Sequence, residues 1–176
     1  DDAVVEVPPL TPSEMERQVD GWLRQSARTL GATQMAQLHA AVAQSGSALH
    51  IRLAASSAAE WTSMTPPFAA RVELTAEATL MALLVRSGAL CGVALVRKVA
   101  ALLVAALDGL SWVELTDIVA SDPKLLSHIF DDSNLSIPRA PPALIATVLE
   151  QLHPVLQRKA VVGCVVYAPW QRTVVD

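Results

Sequence analysis

The stretch from Ala89 to Leu107 limits what this chain can fold into more than any other. It is apolar except at its centre, where Arg97 and Lys98 stand side by side. The uninterrupted runs on either side are 8 and 9 residues long, well short of the roughly 18 that a membrane-crossing helix needs. Each charge held at mid-bilayer would cost about 2.5–3.5 kcal/mol. No transmembrane span is therefore expected. The stretch reads instead as a buried central helix, with Val93, Val96, Ala100, Leu103 and Leu107 along one side.

The rest of the chain must supply the walls around that helix, and 176 residues suit one core with small appendages. The composition agrees. Hydrophobic residues make up 52% and aromatic residues only 4%, so the apolar mass is Ala, Leu and Val, which let helices approach closely. So apolar a chain also leaves some of that surface outside, which favours life against partners.

Local signals place the helices. Thr11-Pro12-Ser13-Glu14 is a helix start, with a capping hydroxyl, a proline suited to the first position and a reciprocal acid. Met15, Val19, Trp22 and Leu23 follow at helical spacing, and Gly31 stops the helix. A second helix is expected over 33–44, broken at Ser45-Gly46-Ser47. From Ala48 to Trp61 two signals compete: Leu49, Ile51 and Leu53 alternate with His50 and Arg52 as in a strand, while Ala54-Ala55 and Ala58-Ala59-Glu60-Trp61 favour helix. The reading leans to a short strand or extended piece followed by a helical turn. Alternation returns at Val72 and Leu74. Thr75 caps a helix over 76–87 that Gly88 ends, and Ser111 caps another over 112–120. Asp122-Pro123 and Pro142 open two more helices, and Pro154 ends the last near Gln151. Val161 to Tyr167 is a strand candidate. The expected fold is mainly α, a multi-helix globular domain resembling a helical repeat, with up to three short strands. Its parts would be an extended arm over 1–10, a single helical domain over 11–168 and a tail over 169–176. The chain opens at Asp1 without Met, as a trimmed or processed piece does.

The chemistry is mostly negative. Cys91 and Cys164 form no CxxC pair and read as buried free thiols, with a single disulfide as the other option. His39, His50, His128 and His153 share no helical metal-pair spacing, and each reads as a surface or capping residue. Asp131-Asp132-Ser133-Asn134 lacks the ligand order of a calcium loop and reads as a solvated turn. No phosphate-loop, dinucleotide, nucleophile-elbow or zincin string occurs. No catalytic residue, cofactor or metal ligand is therefore expected.

Gly109-Leu110-Ser111 through Pro123-Lys124-Leu125-Leu126 reads as a helix, a short break and a proline-started helix. These 18 residues resemble one unit of the mitochondrial transcription termination factor repeats, with their Leu-Ser opening and Pro-Leu-Leu close. The pattern occurs once, without that family's basic surface, so the resemblance implies a helix–turn–helix packing unit and not kinship.

Formal net charge is −4, which opposes gripping a phosphate backbone. The leading expectation is a non-enzymatic interaction or scaffold domain, a subunit or adaptor of a larger protein assembly or homo-oligomer, with nucleic acid unlikely. A helical RNA-binding or organelle-associated repeat module, and a small hydrolase or transferase, are the alternatives. Two candidate docking faces stand out. One is acidic, with Glu114, Asp117, Asp122, Asp131 and Asp132; the other is an apolar helix face with Leu144, Val148 and Leu152.

Overall fold

The computed structural model describes residues 8–66, 70–130, 141–161 and 163–170. These fold as eight α-helices and a small three-stranded sheet, the mainly helical outcome that the periodicity predicts. The internal contacts fall into two compact units, residues 1–80 and 81–176.

In the first unit, α1 (Pro12–Gln25) begins as expected. The Glu14 carboxylate accepts from the Thr11 amide at 2.8 Å and from its hydroxyl at 2.6 Å. Met15, Val19 and Leu23 are the buried stripe. Helix α2 (Ala32–Val42) buries Leu38, Ala41 and Val42.

The strand expected after Ser47 does not form. Residues Ala48–Ala58 are a helix, α3, whose first turn is capped by the Ser47 hydroxyl accepting from the His50 amide. The alternation of Leu49, Ile51 and Leu53 carried no in–out meaning. His50, Ala54, Ala55 and Ala58 between and beyond them are buried as well, so the helix is enclosed on most of its circumference. Nor is there a strand at 70–74. His50 is not a surface residue but fully buried. Its Nε2 lies 2.8 Å from the Glu73 carbonyl, which can only accept, so Nε2 carries the proton. Nδ1 then accepts from the Ser45 hydroxyl at 2.6 Å. This link ties the turn after α2, the start of α3 and the segment leading into α4 (Ala76–Cys91). Thr75 caps α4, its hydroxyl accepting from the Ala78 amide at 3.2 Å.

In the second unit the long apolar stretch is not one helix. Gly88 does not end α4, which continues to Cys91. The break comes at Gly92, whose φ of 90° a helix cannot hold, and α5 (Val93–Ala105) starts afresh. The restart resets the inward face. Leu95, Val96, Val99 and Leu103 are buried, whereas Val93 and Leu107 are 61% and 73% exposed. Gly88 has a packing role, since a Cβ there would sit 3.1 Å from the Val93 side chain.

After α5 come β1 (Leu110–Ser111), α6 (Trp112–Ala120), α7 (Pro123–Phe130) and α8 (Pro142–Gln151). A single 3-10 turn, His153–Val155, leads into β2 (Leu156–Val161), and β3 (Cys164–Pro169) closes the sheet. The strand order is β1-β3-β2, all antiparallel. The strand candidate at 161–167 thus straddles a hairpin turn, and β2 lies upstream where only a helix end was expected. Gln157-Arg158-Lys159 hides β2 because its outer strand is nearly all solvated. Cys164, expected to be buried, is exposed on β3, while Cys91 is buried, and both thiols are free. The core gathers Leu95, Val99 and Leu103 of α5, Leu115 and Val119 of α6, and Ile145, Val148 and Leu149 of α8.

β1 can approach β3 only because residue 109 is glycine. Its φ is +91°, and a Cβ there would lie 2.6 Å from the Tyr167 carbonyl oxygen. Gly109→Ala should therefore cost of order 1–3 kcal/mol in backbone strain, read as a lowered urea midpoint. An unchanged midpoint would show that β1 can withdraw without consequence.

Candidate interaction surface

The second unit places helices α5 to α8 and a β-hairpin around one core, and its functional surface must be sought on what these elements turn outward. Helix α6 starts at a complete capping box. The Ser111 amide and hydroxyl both donate to Glu114 Oε2 at 2.7 Å, and the Glu114 amide returns a bond to the Ser111 hydroxyl at 3.3 Å. Ser121 and Asp122 alone separate α6 from α7. Asp122 caps α7 by accepting from the Leu125 amide at 3.1 Å. Its other oxygen accepts from the Lys98 ammonium of α5 at 2.8 Å. Helix α8 buries Ile145, Val148 and Leu149 and turns Ala143, Thr147 and Glu150 outward.

The residues expected to bind partners fall into distinct positions. Glu114 and Asp117 are exposed on α6, three residues apart and so on one face, but Glu114 is engaged in its cap. Asp122 is held by Lys98. Asp131 and Asp132 lie outside the described residues, as does the turn expected at 131–134. Leu144 is half-buried and borders an open groove of 660 Å³ with Cys91, Val93, Arg97 and His128. Val148 and Leu152 are 0% and 2% exposed. They pack the core and are not free to line an outward face. Among the described residues no cluster of His, Cys, Asp and Glu could hold a metal ion, and no helix is long and apolar enough to cross a membrane.

Hydrogen bonds from the Ser111 amide and hydroxyl hold the Glu114 carboxyl below its ordinary range. The Lys98 ammonium, followed by the Leu125 amide, does the same for Asp122. A depressed carboxyl contributes stability that is fully present above its unfolded pKa, about 4.3 for Glu. That contribution is lost as pH falls from there through the folded value. Glu114→Gln should accordingly flatten the acid limb of the unfolding curve below the ordinary Glu range and leave its shape at neutral pH unaltered. Parallel acid limbs in the two proteins would show that the cap does not titrate with folding.

A second groove went unseen in the sequence. Trp112 at the start of α6, Glu150 of α8 and Arg158 and Tyr167 of the hairpin border a cavity of 210 Å³ floored by Leu149 and Leu156. Arg158 and Tyr167 are direct cross-strand partners, and the guanidinium carbon lies 5.9 Å from the ring centroid. Trp112 remains 41% exposed. These residues come from three elements, and no spacing in the sequence joins them.

Residues 69–175 match the family model described as "NWD1-like, winged helix-turn-helix domain". A curated human protein, NACHT domain- and WD repeat-containing protein 1, is 29% identical over 178 residues. That alignment covers 99% of this chain but 11% of the human protein, so the chain spans a small part of its relative's length. No solved structure matches. The short stretch that resembles a termination-factor repeat, Gly109–Leu126, lies inside the family match and forms β1, α6 and the first turn of α7.

Proposed function

Because the chain belongs to the NWD1-like winged helix-turn-helix family, we propose that its winged unit is a protein-docking module of a larger multidomain protein and does not read nucleic acid. One observation carries this. Helix α8, the last helix before the hairpin, exposes Ala143, Thr147 and Glu150 and contains no Lys or Arg. A helix that reads duplex needs bases for phosphates and long polar side chains for base edges. The outward bases of α7, α8 and the hairpin, among the described residues, are Lys124 on α7 and Arg158 and Lys159 on β2. Three phosphate contacts would give a salt slope of only about −3. The human relative has, by its name, a NACHT domain and WD repeats. A module of that kind in the same larger protein is the partner this reading favours, consistent with a scaffold or complex-subunit role.

Titrating labelled duplex DNA and RNA with the purified chain between about 50 and 200 mM salt tests the reading. The expected result is no saturable binding at micromolar protein, with any residual attraction removed by Arg158→Ala and Lys159→Ala together. Submicromolar binding with a salt slope of about −6 or steeper would sink the docking reading in favour of nucleic acid.

A further inference from the structure

Resting on that docking role, we propose that the groove between Trp112 and the hairpin is its anchor, and that it takes an acidic, apolar segment of a protein partner. One apolar side chain of that segment enters the cavity, and a neighbouring carboxylate sits on the Arg158 guanidinium.

The size of the cavity comes first. At 210 Å³ it is smaller than the roughly 300–1,000 Å³ of small-molecule sites, and it matches one inserted side chain. Its floor of Leu149 and Leu156 and its Ala146 wall are apolar, so burial there is driven by the hydrophobic effect. Its rim carries Trp, Tyr and Arg, the three residue types that dominate binding energy at protein interfaces.

Charge then selects the occupant. Arg158 has an aromatic partner, the Tyr167 ring, and among the described residues no carboxylate pairs with it. The Tyr167 ring holds the guanidinium face in place, so less rotamer freedom is lost when an acid docks on it. Lys159, the next residue on the strand, leaves the opposite face of the sheet, so Arg158 is the arginine that borders the groove. Glu150 stands on the α8 side of the groove. It would repel an acid there, which confines the partner's carboxylate to the hairpin side and gives the segment a direction.

The test sorts a displayed library of random dodecapeptides on the purified full chain. Enriched peptides should pair Asp or Glu with an adjacent Leu, Phe or Trp. Their affinity should fall at least about tenfold with Arg158→Glu and also with Trp112→Ala, and should rise with Glu150→Gln. Arg158 is exposed, so its variant keeps the test valid should Trp112→Ala perturb folding, and circular dichroism checks both. Sorting that enriches nothing, enriched peptides without acidic bias, or binding indifferent to Arg158→Glu would each overturn the groove assignment. Those failures leave the nucleic-acid titration unaffected, whereas tight duplex binding in that titration removes the docking role and this anchor together.

Discussion

Replacing His50 by alanine is expected to destabilise the protein by about 3–5 kcal/mol, near the top of the range for single substitutions. The imidazole is fully buried, and both nitrogens are used. Removing the ring leaves a cavity and strips the Ser45 hydroxyl of its close acceptor, leaving it the Val42 carbonyl at 3.5 Å. The Glu73 carbonyl keeps only the Thr79 hydroxyl, at 3.4 Å. Two causes are mixed in that loss, and a second variant separates them. His50→Leu restores most of the volume but neither hydrogen bond, so it should still cost about 1–3 kcal/mol for the polar groups left unsatisfied. Urea melts of both variants decide the matter. A His50→Leu protein as stable as the parent would mean that His50 acts by volume alone.

Leu103→Ala should cost about 2–5 kcal/mol, as for other large-to-small changes in packed cores. Leu103 is 1% exposed and belongs to the cluster that α5, α6 and α8 share. The adjacent Val104 is 41% exposed and serves as the control, with Val104→Ala expected within about half a kcal/mol of the parent. Equal losses at the two positions would contradict the inward face assigned to α5. The comparison also bears on the whole apolar stretch, because the break at Gly92 rotated that face. Val93, inward on a single continuous helix, is outward at the start of α5, and Leu107 lies beyond the end of that helix.

Much of the helical framework was legible in the sequence. Thr11 and Ser111 were readable as caps, each with its acid three residues on, and the stripe Met15, Val19, Leu23 gave the buried side of α1. Thr75, Asp122 and Pro142 marked further starts, and Pro154 marked an end. Such signals are local, because the hydrogen bonds of a cap or a helical turn join residues three or four apart. The sequence therefore holds both partners in one short window.

What only the tertiary structure decided depends on segments far apart in the chain. The alternation Leu49, Ile51, Leu53 became a helix because other elements cover His50, Ala54 and Ala58 as well, and no window of the sequence records that cover. Strand β2 exists because β3 folds back to pair with it, although Gln157-Arg158-Lys159 has no apolar face of its own. The acids that looked like one docking face were divided by their partners, Glu114 into its cap and Asp122 onto Lys98. Trp112, Arg158 and Tyr167 share a groove only because the hairpin packs beside α6 and α8. Caps and periodicity are determined by the chain's own neighbours; burial, strand pairing and convergence are determined by whatever surface arrives from elsewhere, and that arrival is a property of the packed core.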